Sequence, residues 1–463
     1  MDSRLNTDMY MSFDNEEQRK RILKKILWKI LPILIIGHFF AFLDRVNIGY
    51  AKLQMQDAVG FTDAQYALAA GIFFIGYAIF EIPSNIIMEK IGARKTLARI
   101  MILWGIVSAC TLFVSTVHQL YALRLLLGIF EAGWYPGIML YLSFWFPSYM
   151  RGRVISFLLL ATLAAPILGG PISGLIMTNL NNVSGLAGWQ WMFFLEAFPL
   201  ILLGIFCIFK LTDTPKHAKW LTDQERMLHK KIMDEDNPHP ETDKHASSHS
   251  LKTILKCFLD IRVYLLASLA FAAYCGSYGF NFWLPTMIRD MGVTNIAHIS
   301  FYSVIPFFIA GLGMILVGKS SDRLRERRWH YTFSMLFSGI MFIAAATLNV
   351  GLVLKLILLG FAGFGFSGAV VVAWSLPAAY FKKEVAPAGI ALVSTLATMS
   401  GLFAPWIINV ARGISQNNNA ALLVIAGIML TSAFIMAFLV PNSAIKITKD
   451  TRLNKTTKKM TSA

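Results

Sequence analysis

Charged side chains stand in pairs inside long apolar stretches of the sequence. Asp44 and Arg45 are adjacent in the first such stretch, and Arg124 and Glu131 both lie in the fourth. A charged group in the hydrocarbon layer of a membrane costs free energy unless it is paired or hydrated, so each of these residues is a candidate for function. The other ionisable residues in such stretches are His38, Glu81 and Glu196.

The two arginines and the two carboxylates suit different chemistry. A planar guanidinium group presents several donors that match a carboxylate, so Arg45 and Arg124 are candidate ligands of an organic anion. Asp44 and Glu131 are candidate proton carriers, because the proton affinity of a buried carboxyl group depends on whether an arginine lies beside it. An arriving anion competes for that arginine, which would couple anion binding to proton binding.

The spacing within the fourth stretch places two of these groups together. Arg124 and Glu131 are seven residues apart, which is two turns of a helix and a rise of roughly 10.5 Å. We expect them on one face, toward one cavity, but too far apart for an ion pair within the helix. The alternative is that buried Arg–Glu pairs only hold helices together. For Glu81 and Glu196, which precede prolines, bonding to freed backbone or pairing between domains is favoured, and His38 is expected to be packed and hydrogen-bonded.

Long apolar runs must position these side chains. Hydrophobic residues make up 56% and charged residues 15% of the 463 residues, whereas soluble domains carry about 25% charged residues. Roughly 20 helical residues cross the ~30 Å hydrocarbon layer. The sequence therefore predicts an all-α polytopic membrane protein with twelve transmembrane helices in two bundles of six. The expected spans are 26–49, 64–88, 97–116, 119–142, 154–178, 190–210, 263–287, 299–318, 331–349, 353–375, 387–410 and 421–440.

The basic residues lie mainly on one side of these spans. The net charge is +16; outside the long central loop, 26 Lys and Arg fall on the side of the termini and 4 on the other, namely Lys52, Arg289, Lys355 and Arg412. The positive-inside rule predicts cytoplasmic termini and a multi-pass protein of the plasma (inner) membrane. Anionic lipid explains the basic balance without nucleic acid. The first span is expected to be its own insertion signal, since no cleavable signal peptide is visible.

One long polar stretch divides the chain into two halves. It predicts a mobile cytoplasmic linker, helical in part around "WLTDQERMLHKKI". Its residues His239, His245 and His249 lack partners that would fix a metal geometry, and the four cysteines have no metal or redox spacing. The expected division is an N-terminal segment 1–25, a first bundle 26–210, the linker 211–257, a second bundle 258–440 and a cytoplasmic tail 441–463.

A loop pattern occurs once in each half, after the second and the eighth span. "NIIMEKIGARK" and "GKSSDRLRERR" each place an acid and a base at offsets four and five before a basic cluster. Acid–base pairs and helix ends at the membrane edge are expected to latch the two bundles in one state. The residues assigned to this conformational latch are Glu89, Arg94, Asp322 and Arg323.

These loops resemble the G-x-x-x-D-R-x-G-R-R motif of the major facilitator superfamily. "FLDRVNIGYA", "EIPSNIIMEKIGARK", "LRLLLGIFEAGWYPGIMLYLSFWFP" and "GWQWMFFLEAFP" are similar to its anion:cation symporter family, which includes permeases for phthalate, tartrate, sugar acids and hydroxyphenylacetate. The likeness covers about 26–440 and is weaker in the second half. It implies the major facilitator fold and the same division of labour at Asp44, Arg45, Arg124 and Glu131.

The second half supplies no charge inside its spans, so neutral groups are expected to contact an anion there. Tyr278 and Asn281 are three apart and share a helix face. Aromatic rings would stack on a ring of the substrate, while hydroxyl and amide groups would bind its hydroxyls. Alternatively, small polar residues join membrane helices. The neutral candidates are Tyr77, Tyr278, Asn281, Trp374, Ser375 and Ser394.

These observations predict a secondary active transporter, not an enzyme. The expected activity is proton-coupled import of a small organic anion, a hydroxy acid, sugar acid or aromatic acid, by alternating access between two bundles. No cofactor is expected besides the coupling proton, and the protein is expected to act as a monomer. The alternatives are an organic-anion exchanger or exporter and, from another class, a transporter-like membrane sensor. An ATP-driven pump is excluded because the sequence has no P-loop.

Overall fold

Helices account for nearly all of the regular structure. A computed structural model describes residues 16–236, 259–381, 386–415 and 418–440. In these ranges, twelve helical segments are long and apolar enough to cross a membrane. The prediction of an all-α polytopic membrane protein is thereby confirmed. Residues 237–258, with His239, His245 and His249, and the tail after residue 440 lie outside the described ranges.

The first half contains six spans, two of which are interrupted. The linker between the halves begins with a separate helix, α9. The helices up to that point are α1 (Glu16–Val59), α2 (Asp63–Ile91), α3 (Ala93–Cys110), α4 (Val117–Glu131), α5 (Trp134–Trp145), α6 (Ser148–Ala164), α7 (Gly170–Asn179), α8 (Gly188–Lys210) and α9 (Asp223–Asp236).

The second half repeats the count of six spans, again with one interrupted. Its helices are α10 (Ile261–Asp290), α11 (Ile296–Leu324), α12 (Arg328–Thr347), α13 (Leu352–Tyr380), α14 (Ala386–Thr398), α15 (Ser400–Ser415) and α16 (Asn418–Leu439). The pairs α4–α5, α6–α7 and α14–α15 each form one span.

The first helix starts earlier than the hydropathy of the sequence indicates. It begins at Glu16 instead of residue 26 and packs its first turns against α9. Arg19 pairs with Glu235 at 2.6 Å, and Lys25 pairs with Glu225 at 2.7 Å. Partial burial raises the pKa of Glu225, but the hydrogen bonds from Lys25 and from the Thr222 backbone lower that pKa by more. The pKa of Glu225 therefore lies below its ordinary value. The hydropathy of the sequence does not show this extension, because residues 16–25 are amphipathic and pack against the linker helix α9 rather than against lipid.

Two of the helix interruptions have identifiable local causes. Between α4 and α5, Gly133 has φ 85°, a left-handed conformation that favours glycine, and a Cβ there would lie 2.4 Å from the Ser84 hydroxyl oxygen. Between α6 and α7, residues 165–169 form a π-helical turn that contains Pro166 and precedes Pro171. A proline removes a backbone donor and displaces the helix at this point.

The two halves meet mainly at the end of the molecule opposite the termini. There the Tyr66 hydroxyl donates to the Phe282 carbonyl at 2.8 Å. Close packing needs small residues at this interface: a Cβ on Gly49 would lie 3.0 Å from the Asn281 carbonyl oxygen, and one on Gly174 would lie 2.0 Å from the Ser300 hydroxyl. We call this region the closed end.

Inside the first half, α2 and α4 approach each other most closely at Gly128. A Cβ there would lie 2.0 Å from the Phe73 carbonyl oxygen, a backbone atom. We expect Gly128→Ala to lower the free energy of unfolding by about 1–3 kcal/mol, since overpacking must displace a helix. Gly427→Ala is the matched control, because nothing lies within 4 Å of its Cβ position. Thermal unfolding in detergent measures both; equal melting temperatures would contradict the close approach.

Candidate functional site

Arg45 and Glu131 form an ion pair inside the first half. The Arg45 Nη2 and Nε atoms lie 2.5 and 3.1 Å from Glu131 Oε1. The Glu131 side chain is fully buried, whereas that of Arg45 is 14% exposed. Glu131 is the last residue of α4, where the negative end of the helix dipole disfavours an anion. The charge of Arg45 is therefore what allows an ionised carboxylate at this helix end.

Aromatic rings surround the Arg45 guanidinium. Its Cζ atom lies 5.0 Å from the ring centre of Phe42, 5.5 Å from that of Phe73 and 5.4 Å from that of Tyr77. It also interacts electrostatically with the hydroxyl of Tyr278 from the second half. These faces attract a cation and exclude water, so they keep the guanidinium in place when its carboxylate partner changes.

Arg124 also lies against the Phe73 ring, with its Cζ atom 5.2 Å from the ring centre. It is 3% exposed, and its Nε atom donates to the Ala69 carbonyl at 3.4 Å. Its Nη2 atom is buried and has no hydrogen-bond partner in the described structure. Arg124 and Glu131 lie on one face of α4, as expected. The guanidinium groups of Arg45 and Arg124 therefore both contact the Phe73 ring: that of Arg45 is paired with Glu131, and that of Arg124 has unused donors. This arrangement can bind an anion.

Asp44 belongs to a different cluster from its neighbour Arg45, because successive residues of a helix point in different directions. It accepts hydrogen bonds from Trp104 Nε1 at 2.5 Å, from the Ser108 hydroxyl at 3.0 Å and from the Asn47 amide at 3.0 Å. The same amide donates to Glu196 at 3.0 Å. Sequence reasoning missed Trp104, Ser108 and Asn47, since polar residues of these types are common in membrane helices.

Glu196 does not have the partner expected for it. Its carboxyl group contacts the Asn47 amide and the Ser173 hydroxyl, at 3.0 and 2.6 Å, rather than helix backbone or the other domain. His38 fits its expected packed role, with Nε2 3.3 Å from the Thr162 hydroxyl and its ring 5.1 Å from that of Phe42.

The second half contributes aromatic residues to the surroundings of Arg45. The Tyr278 ring lies 4.7 Å from that of Phe74 and 5.6 Å from that of Tyr274. Trp374 donates from its indole to the Tyr274 hydroxyl at 2.5 Å. The structure thus brings Tyr77, Tyr278 and Trp374 into one aromatic wall. Tyr274, which sequence reasoning missed, joins them; its spacing of four from Tyr278 was the available signal.

Three neutral candidates are not joined to this wall by any contact between described side chains. The Ser375 hydroxyl donates to the Val372 carbonyl of its own helix at 2.7 Å. The backbone of Asn281 packs at the closed end. The carbonyl of Ser394 accepts from the Thr398 hydroxyl at 2.9 Å. The roles assigned to these residues stay predictions.

Two of the loop residues expected to latch the halves together, Arg94 and Asp322, have described partners outside the opposite half. Arg94 contacts Asp213, through its backbone N–H at 2.8 Å and its Nε at 3.7 Å. Asp322 pairs with Arg327 at 2.7 Å, and Arg323 is exposed. The described side chains do not include that of Glu89. The halves meet at the opposite end in this state, so none of these pairs joins the two halves, and the expected latch stays a prediction.

Charged contacts between the halves occur at the closed end. Lys52 is fully buried, with its Nζ atom 2.9 Å from Asp63 and 4.0 Å from the ring centre of Trp283 in the second half. The guanidinium of Arg412 contacts the same ring, with its Cζ atom 4.8 Å from the Trp283 ring centre. Its Nη2 atom lies 3.6 Å from the Asp63 carboxylate and 3.0 Å from that of Asp290. We call these five residues the closed-end cluster. The contacts of Lys52 with Trp283 and of Arg412 with Asp63 cross between the halves, so spacing along the chain does not reveal them.

Comparison with known proteins identifies the family. The sequence profile described as the Major Facilitator Superfamily matches residues 34–405 and 269–462. A protein of Agrobacterium vitis named a tartrate transporter is 39% identical over 425 residues, covering 91% of this chain and 92% of that protein. A quinolone resistance transporter of Acinetobacter baumannii is 32% identical over 412 residues, covering 89% and 93%. The chain belongs to the Major Facilitator Superfamily.

A solved structure supports the same fold. The xylose transporter XylE from E. coli, in an inward open conformation, aligns with a TM-score of 0.69 at 16% sequence identity, covering 90% of this chain and 96% of that one. The resemblance found in the sequence motifs is confirmed. The protein is an integral multi-pass membrane transporter, since the family consists of transporters and not of enzymes.

The closed-end cluster generates a prediction about stability. Asp63→Asn leaves the fully buried Lys52 without its carboxylate partner, and removing one member of a buried pair is destabilising. Because Asp63 is 34% exposed, we expect a loss of up to about 3 kcal/mol, at the low end for such pairs. Thermal unfolding in detergent measures the change. The matched control is Asp57→Asn, which removes an exposed carboxylate near the end of α1, the helix that carries Lys52.

A second variant separates charge from shape in this cluster. Adding Lys52→Met to Asp63→Asn removes the uncompensated cation, so the double variant should regain part of the lost stability. Equal melting temperatures for Asp63→Asn and Asp57→Asn would show that the cluster does not hold the closed end together.

Proposed function

We propose that this member of the superfamily is a secondary transporter that carries a small organic carboxylate together with protons. The observation that supports this most is the Arg45–Glu131 ion pair beside Arg124, whose buried Nη2 atom has no hydrogen-bond partner among the described residues. A carboxylate that enters this site would meet the unused donors of Arg124 and could displace Glu131 from Arg45. The two arginines, which contact the same Phe73 ring, would thus bind the anion together.

Charge balance supplies the coupling in this proposal. Arg45 and Glu131 together are neutral, and a bound carboxylate adds a negative charge in a region that is poorly hydrated. Protonation of Glu131 would restore neutrality and free Arg45 for the substrate. The carboxyl oxygen Oε2 of Glu131 is buried and accepts no hydrogen bond in the described structure, so it is the atom at which we expect the proton. Substrate and proton would then cross together.

The direction of the described state follows from the charge asymmetry of the loops. We infer cytoplasmic termini in the plasma (inner) membrane from the excess of basic residues on that side. The closed end then faces the outside, and the Arg45 site is reached from the cytoplasm. The protein would alternate between this state and one in which the closed-end cluster separates, which is movement of two bundles around a central site.

Two observations support a carboxylate as the substrate. One relative is named for tartrate, which is a hydroxy acid with two carboxylates. The aromatic wall formed with Tyr274, Tyr278 and Trp374 offers stacking faces and hydroxyls, whereas the positive charge near it comes from the first half. We therefore propose that the first half binds the carboxylate and the second half contacts the remainder of the molecule.

A second candidate function is export or exchange of organic anions. The relative named for quinolone resistance favours it, since resistance commonly requires that a compound leave the cell. The Arg45–Glu131 pair suits both directions, because the same charge balance holds for either.

A ligand screen tests the substrate class. Purified protein is heated with tartrate, gluconate, phthalate, 4-hydroxyphenylacetate or uncharged xylose. A carboxylate that binds the native state at a hundred times its Kd should stabilise it by about 2.7 kcal/mol, and Arg124→Gln should abolish that shift. Arg153→Gln, which alters an exposed arginine, is the control. The proposal fails if no carboxylate stabilises the wild type, or if the shift persists in Arg124→Gln.

Flux measurements test the coupling. In proteoliposomes, Glu131→Gln should lose accumulation of the selected carboxylate driven by a pH gradient, because Gln cannot take up the proton, while exchange against preloaded carboxylate survives. Glu17→Gln, at the exposed start of α1, should behave as wild type. Undiminished pH-driven accumulation in Glu131→Gln would remove Glu131 as the proton carrier. Exchange without any pH-driven accumulation in the wild type would favour the exchanger.

A further inference from the structure

Two further carboxyl groups, those of Asp44 and Glu196, lie close together and apart from the Arg45–Glu131 ion pair. Asp44 of α1 and Glu196 of α8 are each 4% exposed. The side-chain amide of Asn47, which is fully buried, donates to both of them at 3.0 Å. Two acidic groups therefore share one donor inside the first half. Burial of two negative charges so close together is unfavourable, since like charges disfavour each other's ionised form.

Asp44 has the partners of an ionised carboxylate. Three donors reach its two oxygens: the indole of Trp104 at 2.5 Å, the hydroxyl of Ser108 at 3.0 Å and the amide of Asn47 at 3.0 Å. Arg124 interacts with it electrostatically and supplies the compensating charge. None of these contacts requires a proton on Asp44.

Glu196 has the partners of a protonated carboxylic acid. The Ser173 hydroxyl lies 2.6 Å from Glu196 Oε1 and also 2.9 Å from the Gly169 carbonyl oxygen. A hydroxyl group has one hydrogen and cannot donate to both acceptors. If Glu196 carries a proton, it donates to Ser173, Ser173 donates to Gly169, and Oε2 accepts from Asn47. The carboxyl group of Glu196, the Ser173 hydroxyl and the Gly169 carbonyl are then all satisfied.

The surroundings of Glu196 contain no compensating cation. In the described ranges, no lysine, arginine or histidine forms an ion pair with it, and the titratable groups that face it are Asp44 and Tyr50, both on α1. The Tyr50 hydroxyl is fully buried, packs on Gly170, the residue after Gly169, and interacts with the Ser303 side chain. Among the described residues, no donor reaches the buried Oδ1 atom of Asn47. The packed neighbours from α3 and α7 are neutral.

We propose that Glu196 is a second proton-binding site, which holds a proton while Asp44 is ionised and is linked to Asp44 through the amide of Asn47. The site follows from the hydrogen-bond pattern, whereas its part in transport rests on the proposed function. When an anion draws Arg124 away, Asp44 loses its compensating charge and binds a proton. The repulsion on Glu196 then falls, and its proton can leave. The pair would retain one proton while exchanging which carboxyl carries it.

Infrared spectroscopy tests this site without a transported substrate. Attenuated-total-reflection spectra of the full chain in lipid are recorded during a pH titration, for the wild type, Glu196→Gln and Asp44→Asn. We expect the carbonyl stretching band of a protonated carboxyl at neutral pH in the wild type and its loss in Glu196→Gln. In Asp44→Asn the band should remain and disappear at a lower pH than in the wild type, because the negative neighbour is gone. Glu81→Gln, which alters a partly exposed carboxyl elsewhere, should leave this band in place.

Other outcomes overturn the proposal. A band of wild-type intensity in Glu196→Gln would show that Glu196 is ionised, and an unchanged midpoint in Asp44→Asn would show that the two groups are not coupled. Should Glu196→Gln not fold, Ser173→Ala keeps the carboxyl but removes its acceptor, and the band should then move to higher frequency. An unmoved band would contradict the assigned contact. Failure of pH-driven flux in the wild type would instead affect the proposed function, since these spectra do not depend on flux.

Discussion

The ion pair of Arg45 with Glu131 is the interaction on which the rest of the site depends. In a region without water, an isolated charge is costly, so a change on one member of the pair requires a change on the other. Binding of an anion to Arg45 therefore cannot leave Glu131 ionised and unpaired at low free-energy cost. In the proposed mechanism this constraint would couple anion binding to proton binding, and it would apply in both directions of transport.

The same constraint explains why charge is divided between the clusters as it is. Arg124 contacts the same Phe73 ring as Arg45, and its electrostatic interactions with Asp44 and Glu131 relate both carboxyl clusters to one guanidinium. The second half meets this region with rings and hydroxyls. At the closed end, by contrast, Lys52 and Arg412 each pair with a carboxylate of their own half, and the contacts of Lys52 with Trp283 and of Arg412 with Asp63 cross between the halves. Those crossing contacts must break when the halves separate there.

The fold could be predicted from the sequence to a large extent, and the site only in part. Hydropathy marks the spans because lipid demands long apolar segments, and helical periodicity correctly placed Arg124 and Glu131 on one face. The partner of Glu131 could not be read in this way, because Arg45 is distant in sequence and the packing of helices brings them together. Asp322 illustrates the same limit: in the described state it pairs with Arg327 of its own loop, and spacing along the chain does not show which residues meet across the halves. Glu196 was set aside because a proline follows it, although a serine and an asparagine on other helices determine its chemistry.

Both carboxyl clusters lie beside an interruption of a helix, and in the proposed mechanism this placement would connect protonation to movement. Glu131 ends α4, and Gly133 redirects the chain against Ser84 before α5 begins. Ser173 binds the carbonyl of Gly169 at the end of the π-helical turn. Irregular backbone at membrane depth persists only where protein or a cavity satisfies it. A proton gained by Glu131 removes a negative charge from the unfavourable end of a helix dipole. A proton lost from Glu196 requires Ser173 to turn its single hydrogen away from Gly169. In each case the proton changes the hydrogen bonds or the charge at the point where the helix is already interrupted, and there a small change in backbone geometry costs less than in a continuous helix.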